Sequence, residues 1–124
     1  MPTTATAVDA TRASYYVDAT DQCYGDGVAG CSVGDLIAVG TKPLGAARWN
    51  HLDLSGNVAE WVFDAAGSLP DPCTDCVGTG STTGRVVRGG SFIDDASSIT
   101  TSARAGHPAD YRSASIGARC ARNP

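Results

Sequence analysis

The stretch Asp53-Leu54-Ser55-Gly56-Asn57-Val58-Ala59-Glu60-Trp61-Val62-Phe63-Asp64 decides how the rest of the chain is read. Its first half has turn chemistry. Gly56 lets the backbone fold tightly, and Asn57 is one of the few residue types that accept a positive φ. The run Asn57 to Phe63 sets polar Asn57 and Glu60 among apolar residues and closes on Asp64, and it is read as a half-buried strand. The stretch also carries two carboxylates, Asp53 and Glu60, and Glu60 is the only Glu in the chain. A loop that mixes carboxylates with inward-turned carbonyls can hold calcium, which takes roughly six to eight oxygens. The plainer reading of the same residues is a turn entering a strand.

Working outward, Arg85 to Arg88 is predicted as a strand that meets Gly89-Gly90, a place for a bulge or a close backbone approach. Ala65 to Gly84, rich in Gly, Pro, Ser and Thr, is predicted as a loop. Ser98 to Ala105 is predicted as another strand, residues 106–113 as a polar loop, and Ile116 to Ala121 as a closing strand. Upstream, Ser14 to Val17 is predicted as a short strand and Asp18 to Asp35 as a Gly/Asp/Cys loop. Leu36 to Val39 is a short apolar run closed by Gly40, and Lys42-Pro43-Leu44-Gly45 is a turn. Residues 1–12 are read as a flexible tail and 13–124 as the folded unit. No internal repeat and no amphipathic helix longer than two turns is visible.

Composition agrees with this pattern. A chain of 124 residues fits one domain with a single core. Gly numbers 15 while Glu, Lys and Met occur once each, which argues for short strands and loops rather than a helix bundle. The fold class expected is therefore α+β, loop-rich, with little helix. The net charge of −4 comes from twelve Asp, most of them suited to turns. The eight Arg are spread along the chain without a basic stripe, which argues against nucleic-acid binding. No apolar run approaches the roughly 20 residues of a membrane span, and Met1 to Thr11 lacks the apolar core of a signal peptide.

Five Cys are present. Cys23 and Cys31 flank a Gly-rich turn and suit a short disulfide loop. Cys73-Thr74-Asp75-Cys76 is a CxxC in a loop, open to a disulfide or structural thiols, to zinc, or to redox chemistry. A closed zinc site needs four ligands, and Cys120, His51 and His107 are the other candidates. Cysteine at this density favours an oxidising, extracytoplasmic compartment.

Three blocks in this order, Asp53 to Trp61, Arg85-Val86-Val87-Arg88-Gly89-Gly90-Ser91-Phe92, and Ile116-Gly117-Ala118-Arg119-Cys120-Ala121-Arg122, resemble the sulfatase-modifying-factor family, which includes the formylglycine-generating enzymes. The resemblance implies a loop-rich fold related to the C-type lectin-like architecture. It implies a structural calcium held by the Asp53 side chain, the Gly56 and Val58 carbonyls and the Glu60 side chain. It places Ala59 where the family carries a groove-lining Trp, and puts Trp61 in the core. For the family's other calcium site, Ser14 stands in place of an Asn, with Asp26 or Asp35 as the acidic partner. The two cysteines that bind copper in the catalytic enzymes are here Asp94 and Ile99. The stretch from Ser91 to Arg104 is also shorter than in those enzymes.

The resemblance covers only the second half of the family domain. That implies apolar surface covered by a homodimer or by a partner chain. The function expected is a non-catalytic binding or structural module with one structural calcium. Its ligand surface lies around Ser91, Asp94, Asp95 and Arg104, for a protein segment or small polar molecule. The alternative is an oxidoreductase-related subunit completed by a partner chain. A third expectation is a self-associating fragment without activity.

Overall fold

The computed structural model describes residues 9–17, 22–23, 25–26, 28–68, 72–74, 77–80 and 83–120. Among these described residues six strands follow in chain order: β1 (Tyr16–Val17), β2 (Gln22–Cys23), β3 (Ala59–Ala65), β4 (Gly84–Arg88), β5 (Arg104–Pro108) and β6 (Ile116–Gly117). The helical content among the described residues is two single 3-10 turns, Val33–Asp35 and Pro43–Gly45. The domain is thus a loop-rich α+β fold in which short strands dominate.

Strands β1 and β2 form a small antiparallel ribbon, with Tyr16 opposite Cys23. The main sheet has the order β5-β4-β3-β6. β4 pairs antiparallel with both neighbours: Trp61 lies opposite Val87, and Val87 opposite Ala105. β6 runs parallel to β3, with Glu60 opposite Gly117. The adjacent pair Val86-Val87 is buried on both faces of the sheet, as expected for an internal strand with two β-branched neighbours. Each such Val contributes about 1.5–3 kcal/mol by burial. The edge strand β5 ends on Pro108, which has no N–H to offer to another strand.

The left-handed turn before β3 joins the sheet to the rest of the chain. Gly56 and Asn57 have φ of 74° and 64°. A Cβ at Gly56 would collide with the Ser14 carbonyl. The Gly56 N–H donates to the Gly89 carbonyl at 2.8 Å and the Asn57 N–H to the Ser14 carbonyl at 2.9 Å, while the Asn57 carbonyl accepts from Phe92 N–H at 2.9 Å. The Asn57 amide closes a two-way bridge to Ile37, accepting from its N–H at 3.0 Å and donating to its carbonyl at 3.2 Å. Beside this knot Ala13, Tyr15 and Ile99 form a small apolar cluster, with Val17 packed against it.

Several elements differ from the sequence expectation. β3 starts at Ala59 rather than Asn57, because a residue with positive φ cannot join the ladder. The strand expected over Ser98 to Ala105 is displaced to Arg104–Pro108. Residues 98–102 form turns, where Asp95 accepts from the Ser97 and Ser98 amides and Thr100 donates to the Ser97 carbonyl. Short polar side chains there compete with a ladder for the backbone. The loop expected over 106–113 therefore begins as strand, with His107 opposite Arg85. The closing strand is only Ile116–Gly117. The loop expected over 18–35 contains β2 and a 3-10 turn capped by Ser32. Of the expected tail, residues 1–8 lie outside the described residues. Residues 9–12 form a turn in which Asp9 accepts from Thr11 and pairs with Arg12.

Asn57→Ala strips the Ile37 amide and carbonyl of their partners and puts Ala in a left-handed conformation. It is expected to lower the unfolding free energy by about 2–3 kcal/mol. Urea denaturation alongside Leu54→Ala, at an exposed position, checks this: the Leu54 variant is expected within about 0.5 kcal/mol of wild type.

Candidate functional site

The loop expected to hold calcium sits over a cavity of about 270 Å³ whose lining includes Asp53, Val58, Glu60 and Arg119. Three of the four expected calcium residues share this cavity, while Gly56 is buried and is not among its lining residues. The Asp53 carboxylate accepts from the Gly40 N–H at 2.7 Å. Both Glu60 oxygens are taken by one guanidinium: Arg119 Nε donates to Oε2 at 2.6 Å and Nη2 to Oε1 at 2.5 Å. Arg119 also donates to the Leu52 carbonyl at 3.0 Å and the Asp53 carbonyl at 2.9 Å. The hydrogen bond to Glu60, stronger than the opposing effect of burial, holds the Arg119 pKa above its ordinary value. A calcium taking the Glu60 carboxylate would have to displace this guanidinium.

Around the second calcium position implied by the resemblance, the Ser14 hydroxyl donates to the Asp35 carbonyl at 3.1 Å. The fully buried Asp35 carboxylate accepts from the amides of Ser32 at 2.9 Å, Gly25 at 3.1 Å and Asp26 at 3.4 Å. This carboxylate organises its own loop. Asp26 caps the Val28 amide at 2.8 Å.

On the sheet lies a larger cleft of about 420 Å³. Small apolar residues from three strands, Ala59, Val87 and Ala105, line it together with Ile93 and Ile116. His107 and Tyr111 add an aromatic wall, stacked at 4.6 Å and 9°. Trp61 meets His107 edge-on at 6.3 Å. Trp61 is half-buried against that wall rather than in the core, because it shares its strand with the sheet's open cleft. Ala59, at the family's Trp position, does line the cleft.

Of the four expected ligand residues, Asp94 and Arg104 line the cleft, and Ser91 and Asp95 do not. Ser91 is 1% exposed, and both its N–H and its hydroxyl donate to Asp94 Oδ2, at 2.8 and 2.6 Å. Asp95 is spent on its own turn. Hydrogen bonds from the Ser97 side chain, then from Ser98, hold its carboxyl below the ordinary 3.8. Arg104 Nη1 donates to the Gly67 carbonyl at 3.1 Å, and its Nη2 is buried without a partner. Ile99 is 2% exposed in the cluster with Ala13 and Tyr15. His51 is exposed, its carbonyl accepting from Ala47 N–H at 2.9 Å.

The expected Cys23–Cys31 disulfide is formed, with Cα atoms 5.1 Å apart. Cys73 is disulfide-bonded as well, which removes it as a zinc thiolate, while Cys76 lies outside the described residues. Cys120 is free and exposed. Among the described residues no helix is long and apolar enough to cross a membrane.

Two features were not assigned a role from sequence. Arg119 stood inside a recognised block, but its target is set by the parallel β3–β6 register. The His107–Tyr111 stack depends on a β5 register that the polar stretch before it concealed.

The short-stranded sheet, the left-handed turn before β3 and the Gly89-Gly90 crossing define a loop-rich α+β domain of the sulfatase-modifying type. The sulfatase-modifying factor enzyme 1-like domain matches residues 11–124, and the chain belongs to that family. Among solved structures it is similar to Treponema denticola variable protein 1, at 25% identity and a TM-score of 0.61. That similarity covers 86% of this chain and 34% of the other, so the chain spans about a third of that protein's length. A comparison with curated proteins gave no match.

A depressed carboxylate contributes order above its unfolded pKa and loses it as pH falls through the folded value. Protection of the Ser97 and Ser98 amides against hydrogen exchange is therefore expected at pH 5. It is expected to disappear as acid carries the solution below 3.8, while Asp95→Asn flattens the profile.

Proposed function

We propose that the chain is a non-catalytic binding module of its family, with the cleft on the sheet as its ligand surface. One observation carries this reading: what occupies the two positions that bind copper in the catalytic relatives. Asp94 is a hard oxygen donor already holding the Ser91 amide and hydroxyl, and Ile99 is closed into the core. Copper(I) is held by soft sulfur ligands, and neither residue supplies one. The cleft meanwhile has the make-up of a recognition site, with an apolar floor, an aromatic wall and a few polar groups. Ala59, in place of a Trp, leaves room on that floor for an apolar side chain of a protein segment. Asp94 and Arg104 offer opposite charges to its polar groups. The Cys23–Cys31 disulfide and the disulfide-bonded Cys73 suit an oxidising, extracytoplasmic compartment.

The test has two arms. Titration with copper(I), and oxygen uptake with a cysteine-containing peptide, are expected to give neither binding nor turnover. Titration of the 15N-labelled protein with a panel of short peptides is expected to shift Ile93, Ala105, His107 and Tyr111 together. Tyr111→Ala is expected to weaken that binding about tenfold or more, an effect of roughly 1.4 kcal/mol. Turnover by the chain alone overturns the reading. Turnover that appears only with an added partner chain favours the alternative of an oxidoreductase-related subunit.

We also infer that the domain self-associates. Phe63 and Trp49 are 79% and 74% exposed, and large aromatic rings in water are the residues that interfaces recruit. A second copy of the chain is the commonest cover for such surface. Sedimentation velocity is expected to give a dimer, and Phe63→Ser is expected to shift it toward monomer. A strictly monomeric wild type overturns this inference.

A further inference from the structure

Arg119 is the residue on which the loop before β3 closes. Its guanidinium makes four hydrogen bonds, to both Glu60 oxygens and to the Leu52 and Asp53 carbonyls. These acceptors are a carboxylate and backbone carbonyls, the same kinds of oxygen that a calcium ion gathers. We propose that the Arg119 guanidinium is the resident cation of this loop, closing it without a metal where the relatives use a structural calcium.

The path that brings Arg119 there is short. Gly117 lies opposite Glu60 in the parallel β6–β3 pair, so the chain leaving β6 passes over the Glu60 carboxylate. A planar fork of N–H donors matches a carboxylate with two parallel bonds, which a lysine ammonium cannot do. The remaining N–H groups then reach carbonyls that would otherwise face the cavity without a donor. The Glu60 side chain is mostly shielded from water, at 18% exposure, so the pair is screened less than a surface ion pair.

The hydrogen bonding of the carboxylates argues the same way. Asp53 and Glu60 bring two negative charges to the cavity and Arg119 one positive charge. The Asp53 carboxylate is further satisfied by the Gly40 N–H. A calcium entering beside Arg119 would meet a fixed positive charge and a carboxylate with both oxygens engaged. The guanidinium also does what an ion cannot: it covalently carries the C-terminal segment and pins it to residues 52 and 53.

The experiment uses the whole chain and calcium itself as the probe. Wild-type protein is expected to melt within about 1 °C in EDTA and in millimolar calcium, since a ligand that does not bind the folded state cannot stabilise it. Calorimetric titration with calcium is expected to give no binding heat. In calcium-free buffer the Arg119 Nε–H resonance is expected to be resolved and slow to exchange, and adding calcium is expected to leave it in place. Arg119→Ala is expected to lower the melting temperature by about 4–8 °C, with Arg119→Lys recovering only part of the loss. A calcium-dependent rise in the wild-type melting temperature overturns the proposal. Loss of the Nε–H resonance on adding calcium, or an Arg119→Ala protein as stable as wild type, does the same. If Arg119→Ala does not fold, the wild-type measurements decide.

Discussion

The left-handed turn at Gly56-Asn57 is the constraint on which the rest of this domain depends. A non-Gly residue with positive φ carries a cost of about 1–3 kcal/mol unless its surroundings hold it there. Here they do. The Asn57 backbone ties residue 14 to residue 92, and its side chain ties both to residue 37. Asn57 is only 7% exposed, so each of these bonds replaces water that cannot reach it. The three segments are distant in sequence, and none of them is in a strand at the point of contact. One buried amide does here what a sheet ladder does elsewhere.

Legibility from sequence followed how local the cause was. The Gly56-Asn57 turn and the Gly89-Gly90 crossing follow from the conformational freedom of the residues themselves, and each lies where the sequence placed it, while β3 lies two residues further on than expected. The Cys23–Cys31 loop was legible from spacing. β5 was misplaced because Asp95, Ser97 and Thr100 fold back on their own backbone, and a run of small polar residues does not reveal which amides it will claim. The candidate site was legible only in part. Asp94 and Arg104 reach the cleft, whereas Ser91 and Asp95 spend their groups on turns. His107, Tyr111 and Arg119 owe their positions to strand pairings across the sheet, which no local pattern encodes.

The residues at the two cysteine positions explain how the loop between β4 and β5 keeps its shape. Asp94 gathers two donors from Ser91 and so closes the turn that follows Gly90. Ile99 adds apolar volume to the cluster of Ala13 and Tyr15. A Cβ at Gly90 would press on the Ile99 side chain and the Ser98 carbonyl, so the two strands of this loop cross closely. A hydrogen-bonded anchor at one end and an apolar anchor at the other hold a loop that passes along the cleft. In this arrangement both positions serve structure.

β3 separates the two cavities, and its register decides what each contains. Successive side chains on a strand point to opposite faces. Ala59 therefore lines the cleft with Val87 and Ala105, while Val58 and Glu60 line the cavity that Arg119 enters. A slip of one residue would exchange these faces. It would put the Glu60 carboxylate on an apolar floor and leave the Arg119 guanidinium opposite a methyl group. The slip would part the mostly shielded Glu60 carboxylate, 18% exposed, from Arg119, itself 38% exposed, and a shielded carboxylate without its partner is destabilising. The positive φ of Asn57 fixes where β3 begins, and through that single choice it sets an open, small-residue cleft on one side and the Arg119–Glu60 ion pair on the other. The cleft and the Arg119–Glu60 pair are thus two consequences of one turn.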